Sequence, residues 1–274
     1  MKNKINWLLI HLELILVALF VIIPIVWIIM SSLNTGNGLA SASFIPKELT
    51  FDNYKRLFTD SNYSKWFLNS FIVAALNAVI SVMLIMLTAW IMSRFRFRGR
   101  KTGLMAILLL SMFPTFLSMT AIYTLFWNFR LLDKPVALVI IYAAGAIPYN
   151  VWLVKGYLDG IPGEIDEAAY IDGSTYLKTF TKIVLPLSRP IITYCAVSQF
   201  MMPWMDYILP NMLLSSDESR TLAVGLFGMI SGKENSNFTM FAAGAVLIAV
   251  PITILFMFFQ KYLVQGIAAG ANKG

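Results

Sequence analysis

The densest run of chemistry-bearing side chains is KGYLDGIPGEIDEAAYIDGSTYLKTFTKIVLPLSR, residues 155 to 189, where Glu164, Asp166 and Glu167 stand beside Ala168 and Ala169. Hydrolytic metal sites want clusters of histidine and carboxylate, yet the chain has one histidine, which excludes His-rich zinc ligation. The placement of these carboxylates fits docking better. Pro162 suits a first helical turn, the carboxylates complement the positive end of the helix dipole, and Gly173 suits its end, so a helix is expected from about 162 to 172. On it, Ile165, Ala168 and Ala169 fall on one face and Glu164 and Glu167 on another. Small residues permit close approach to a groove on another protein, and a carboxylate can meet a basic side chain there. An acidic helix is a poor candidate for lying flat on a membrane, because interfacial helices carry basic residues opposite their apolar face.

Other chemistry is excluded by pattern. A phosphate-cradling loop needs Gly-x4-Gly-Lys-Ser/Thr, and no such string occurs. Gly266 to Gly274 is glycine-rich, but its spacing is wrong and no strand precedes it. The single cysteine, Cys195, lies in an apolar stretch and reads as a small buried hydrophobe. Met105, Met112, Met119, Met201, Met202 and Met205 read as packing in apolar helices.

The elements around this segment are those of a membrane protein. Of 274 residues, 58% are hydrophobic and 13% charged, too apolar a balance for a soluble domain. At 1.5 Å per residue, about 20 residues cross the hydrocarbon layer, and spans are expected near 12–32, 67–92, 103–127, 135–157, 187–213 and 238–262. The first apolar run exceeds a signal-peptide core, and Ala40-Ser41-Ala42 lies well beyond its end, so it is expected to be a retained anchor helix. Pro24, Pro114, Pro148, Pro203 and Pro251 are expected to kink or break spans. Arg94, Arg96, Arg98, Arg100 and Lys101 between spans two and three mark a cytoplasmic loop. Both termini are then cytoplasmic, and the larger share of the 21 Lys and Arg residues falls inside. The net charge of +7 is a topology marker, since no basic soluble face for nucleic acid is visible. Neither an inverted repeat nor the intramembrane charges of an ion-driven carrier are found. The chain is read as one permease domain, 1–274, with a cytoplasmic loop at 158–186.

In that loop, Glu167-Ala168-Ala169, three residues, Gly173, nine residues, Ile183, one residue and Leu185-Pro186 resemble the signature of bacterial ABC-importer permeases. The resemblance extends along the chain through Asn69-Ser70, Arg94 to Gly99, Thr221 to Gly225 and the ending GIAAGANKG. The runs MFPTFLSMTAIYTLF and TLAVG are most similar to the second membrane subunit of maltose and maltodextrin importers. It implies an all-α membrane protein with the six-helix type I permease fold and a cytoplasmic coupling helix. It also implies ATPase-coupling roles for Glu164, Ile165, Glu167, Ala168, Ala169, Asp172, Gly173, Leu185 and Pro186.

The implied partners are a second related permease, two copies of an ABC ATPase, which bind ATP and Mg, and a sugar-binding protein outside. The chain itself is expected to hold no cofactor or metal and to sit in the bacterial cytoplasmic membrane. By the same resemblance, residues 215 to 237 would reach into the binding protein, and Gly270, Lys273 and Gly274 would touch the ATPase pair. Trp204 and Asp206 are candidates for the translocation path. Asp206 is either a hydroxyl acceptor for sugar or the partner of a neighbouring helix. Met205 stands where many carbohydrate permeases carry asparagine.

Overall fold

The computed structural model describes residues 2–38, 44–46, 48–112, 114–231 and 237–271. In chain order the helices are α1 (Lys2–Ser32), α2 (Asp52–Thr59), α3 (Tyr63–Arg94), α4 (Arg100–Ser111), α5 (Thr115–Asn128), α6 (Val136–Asp159) and α7 (Glu164–Ile171). They continue with α8 (Tyr176–Thr179), a π-helical segment (Phe180–Val184), α9 (Leu185–Leu187), α10 (Arg189–Met205), α11 (Ile208–Leu213), α12 (Leu222–Ser231) and α13 (Phe238–Ala271). No strand occurs among the described residues; Asn34 and Leu49 form an isolated antiparallel bridge.

Four helical stretches are long and apolar enough to cross a membrane: Leu9–Ser32, Tyr63–Arg94, Val136–Asp159 and Phe238–Lys261. They match the expected spans one, two, four and six. The expected span at 103–127 is instead two helices, α4 and α5, separated at Met112 to Pro114. Proline offers no N–H, and its ring crowds the carbonyl four residues earlier, so the helix ends before Pro114. Pro24, Pro148, Pro203 and Pro251 lie within continuous helices, so of the five marked prolines only Pro114 stands at a break. The expected span at 187–213 is also divided. α10 ends at Met205, α11 starts at Ile208, and the chain bends by 82° between Tyr176–Leu187 and Arg189–Met205.

Nearly all described side chains of α1 between Trp7 and Ile25 are exposed, including Leu12, Leu16 and Phe20. Water would not tolerate that surface, whereas lipid solvates it and leaves the backbone to satisfy itself within the helix.

The chain forms two compact units, Met1–Ser64 with Val224–Thr253, and Lys65–Ala223 with Ile254–Gly274. In the first, the buried Asn53 ties three segments. Its Nδ2 donates to the carbonyls of Ser32 (2.9 Å) and Asn34 (2.8 Å), and its Oδ1 accepts from Thr239 Oγ1 (3.2 Å). Gly244 sits at a close approach: a Cβ there would lie 2.4 Å from Leu226 Cδ2 and 3.3 Å from Tyr63 Cε2, so those side chains would have to shift. Gly244→Leu is expected to destabilise by about 1–3 kcal/mol through overpacking. A lowered melting temperature of the detergent-solubilised protein checks this.

In the second unit, Ile85, Met86, Ala89 and Trp90 of α3 pack with Val151, Val154 and Leu158 of α6, Phe180 and Val184, and Ile191 and Cys195 of α10. This core runs directly into the signature segment, so α3, α6 and α10 together position it. Cys195 is free and fully buried there, as its apolar surroundings imply.

Candidate coupling site

α7 begins with Glu164, Asp166 and Glu167 in its first turn, next to the positive end of the helix dipole. It ends in a Schellman turn: Ser174 N–H donates to Ala169 O (2.9 Å), Gly173 N–H to Tyr170 O (3.0 Å), and Gly173 has φ +80°. Glycine is needed at that position because a Cβ in left-handed backbone crowds the following carbonyl. The expected helix at 162–172 starts two residues later, at Glu164, with Pro162 just ahead of it.

The expected division of faces is corrected by burial. Asp166 and Ala169 turn inward, 4% and 8% exposed, while Glu164, Ile165, Glu167 and Ala168 are exposed. Ala169 therefore packs within its own chain, and Ile165 and Ala168 do not share its surroundings. The outward stripe is Glu164, Glu167, Ala168 and Ile171, spaced i, i+3, i+4, i+7, so carboxylates and apolar groups occupy one face together. Ile171 is 86% exposed, and the expectation omitted it. Its signal was that spacing.

Asp166 turns inward because Arg94, the last residue of α3, meets it. Arg94 Nε donates to Asp166 Oδ2 at 2.6 Å, and Nη2 donates to Ile161 O at 3.0 Å. Both side chains are largely buried, 15% and 6% exposed, where removing one partner strands the other's charge. Beside it, Asp159 accepts from Ser93 Oγ (2.6 Å) and pairs with Lys155 Nζ (2.6 Å). Sequence reasoning used Arg94 as a topology marker and as part of the resemblance, and Asp166 as a dipole partner, since nothing in their 72-residue separation announces a pair.

A run of aromatic rings extends the clamp inward. Tyr170 meets Tyr176 at 5.0 Å, Tyr176 meets Phe95 at 5.4 Å, Phe95 meets Trp90 at 5.1 Å, and Trp90 meets Phe180 at 4.8 Å. Such contacts each add about 0.5–1.5 kcal/mol beyond area burial. Burial raises the Tyr170 hydroxyl pKa, with Asp166 and Tyr176 adding to the shift and Arg94 opposing it.

The remaining signature residues shape the exit from the loop. The π segment lets Leu185 N–H bond to Phe180 O, and Pro186, with no N–H, follows immediately. Leu185 is half-buried against the α3–α6–α10 core and Pro186 is exposed. Asp172 caps α7 and is exposed. A displacement of α7 therefore has two covalent or packed routes into the bundle: Arg94 to α3, and the π segment to α10.

At the other end of α3, a second constellation holds the segment expected to meet a binding protein. Asp133 Oδ1 accepts from the N–H groups of Ser215 (2.8 Å) and Ser216 (2.9 Å) and from the Ser219 hydroxyl. Lys65 pairs with Glu218 (2.9 Å), and Asn69 Nδ2 donates to Glu218 O (2.8 Å) and Arg220 O (3.0 Å). Burial alone would raise the Asp133 pKa, but the hydrogen bonds outweigh it and bring it down to about 2. A depressed carboxyl pKa stabilises the fold above its unfolded value near 4, and that stabilisation is lost as pH falls toward 2. Asp133→Asn is expected to flatten the acid limb of the melting curve, measured between pH 6 and pH 2.5.

Asp206 and Trp204 lie at the α10–α11 break. Asp206 Oδ2 accepts from Tyr142 OH (2.7 Å), and Oδ1 accepts from the N–H groups of Ile208 (2.9 Å) and Leu209 (3.4 Å), capping α11. Trp204 is 7% exposed beside Phe67, and Met205 is exposed. Of the two readings of Asp206, its geometry carries the pairing with a neighbouring helix. Gly270 lies in α13; Lys273 and Gly274 fall outside the described residues, as do 232–236 of the segment at 215–237.

Residues 81–269 match the family described as binding-protein-dependent transport system inner membrane component. The chain is 41% identical over 264 residues to the maltodextrin transport system permease protein of Bacillus subtilis (strain 168), covering 96% of this chain and 95% of that one. It is 39% identical to the galactooligosaccharides transport system permease protein of the same organism, covering 96% and 94%. A solved bacterial ABC transporter involved in the import of the acidic polysaccharide alginate shares the fold, with a TM-score of 0.82 at 24% identity over 96% of this chain and 98% of that one. With its signature loop clamped to the end of α3 in a chain of the type I permease fold, the chain belongs to the binding-protein-dependent transport system inner membrane component family of ABC importer permeases.

Proposed function

We propose that the whole chain acts as one permease domain of an importer for maltodextrin-type oligosaccharides. It forms the path with a second related permease, takes its energy from two ATPase subunits that hold ATP and Mg, and receives sugar from a binding protein. The observation that supports this most is the Arg94–Asp166 clamp, which fastens an exposed acidic and apolar helix to the end of a spanning helix. The 41% identity to a maltodextrin permease supports the substrate class.

On this reading α7 and both termini face the cytoplasm, because the Arg94 to Lys101 loop carries its cations on the retained side. Closure of the ATPases presses on Glu164, Glu167, Ala168 and Ile171. The motion passes through Arg94 to α3 and through Leu185-Pro186 to α10, opening the bundle outward. Asp172 and Gly173 fix where the pressed helix ends. Gly270, Lys273 and Gly274 supply a second contact to the ATPase pair. Trp204 and Asp206 act behind the wall of the path, holding the break between α10 and α11, and the segment from 215 to 237 meets the binding protein. The chain hydrolyses no ATP itself.

The 39% identity to a galactooligosaccharide permease favours a second substrate reading. Vesicles containing the assembled complex decide between them. Uptake of labelled maltotriose that requires internal ATP, and that unlabelled maltodextrin but not galactobiose suppresses, is expected. Uptake that persists on an ion gradient after ATP is removed contradicts the importer reading, and preferential suppression by galactobiose replaces the substrate.

A further inference from the structure

The connection between α3 and α4 holds a feature the coupling mechanism does not use. Only Phe95 to Gly99 separate the two helices. Gly99, at φ +92°, turns the chain so that Arg100 folds back, its Nε donating to Met92 O (2.8 Å) and its Nη2 to Ser93 O (3.2 Å). Arg100 thereby satisfies the open carbonyls at the end of α3. What remains is a cavity of about 320 Å³ lined by Arg96, Phe97, Gly99, Arg100, Lys101 and Thr102, with no carboxylate in its wall. Among the described residues, Arg96, Arg98 and Lys101 are exposed and make no ion pair, in contrast to Arg94.

A chain of five residues reaches out and back no more than about 9 Å from the helix ends. On the membrane reading, the polar layer of a leaflet is about 5–8 Å deep, comparable to that reach, so these cations would border it. Phe97 is 45% exposed among them, and the adjoining turns expose Ile91 on α3 and Met105 on α4. A free inorganic anion gains nothing from such apolar neighbours, and an acidic protein surface would have to enter the headgroup layer to reach them. A phospholipid satisfies both halves.

We propose that this cavity holds the phosphate of an anionic phospholipid from the same leaflet, with its acyl chains along the exposed apolar turns of α3 and α4. The inference rests on the membrane reading above and adds a regulatory consequence. The bound headgroup braces the elbow that directly follows Arg94, the residue that carries α7, so the lipid composition of that leaflet tunes coupling.

The test uses the purified complex in phosphatidylcholine nanodiscs doped with phosphatidylglycerol, with retained lipid read by mass spectrometry. The native complex is expected to retain phosphatidylglycerol selectively. Arg96→Gln with Lys101→Gln is expected to bind it roughly thirtyfold more weakly, the factor two interfacial cations contribute. Lys101→Gln alone, which removes no structural bond, is expected to weaken it about fivefold. Unchanged retention in both variants overturns the proposal. Displacement by millimolar inorganic phosphate overturns the lipid as occupant. Loss of the ATPase subunits at unchanged lipid retention overturns it in favour of a protein contact. None of these outcomes alters ATP-driven uptake by the native complex, so the importer reading stands or falls separately.

Discussion

Vesicles carrying Gly173→Pro are expected to lose ATP-driven uptake by roughly a hundredfold while the protein still inserts. Proline locks φ near −65°, whereas position 173 requires +80°, and it lacks the N–H that now donates to Tyr170 O. The mismatch costs about 3 kcal/mol or more, which is that factor in the population of the native helix end. Gly173→Ala keeps the N–H and meets only the left-handed penalty of about 1–2 kcal/mol, so it is expected to retain several per cent of uptake or more. Equal loss in both variants would show that something other than the turn is required there. Glu167→Lys acts on the outer face instead. It leaves α7 folded but reverses the charge presented to the ATPase, and uncoupled ATP hydrolysis without uptake is the expected signature.

Arg94→Ala has the second large effect. Removing one partner of a largely buried ion pair strands the Asp166 charge and destabilises the docked helix by about 3–5 kcal/mol. ATP hydrolysis is expected to lose much of its stimulation by the binding protein, because pressure on α7 no longer reaches α3 and only the route through the π segment remains. The double variant Arg94→Met with Asp166→Leu leaves no stranded charge and is expected to recover insertion and thermal stability. If it also recovers binding-protein stimulation in full, apolar packing alone carries the coupling and the ion pair is dispensable. If the single variant retains normal stimulation, the route through α3 is wrong.

How much of this was legible in the sequence follows from what each signal measures. Apolar length identified α1, α3, α6 and α13, because a continuous run has a single reading in lipid. At 103–127 hydropathy stays high across Pro114 and so hides the interruption of the helix, which the proline itself marked. Gly173 was correctly marked as the helix end, since a left-handed residue leaves its identity in the sequence. The faces of α7 were misassigned because periodicity says which residues share a side, not which side meets the rest of the chain. That choice was made by Arg94, 72 positions before Asp166, and a pair so distant leaves no local trace. Asp206 was legible as an unusual charge, but its partner Tyr142 belongs to another helix and required the fold.

The account depends most on where the exposed face of α7 points. Cys195 is the only cysteine and is fully buried, so a single new thiol at Ile171, which is 86% exposed, reports without background. In the assembled complex, Ile171→Cys carrying a short photo-crosslinker is expected to join the ATPase subunit, with a yield that changes when ATP closes the pair. It is also expected to resist a membrane-impermeant thiol reagent applied to intact cells. Labelling from outside, or crosslinks to the sugar-binding protein and none to the ATPase, would contradict the account.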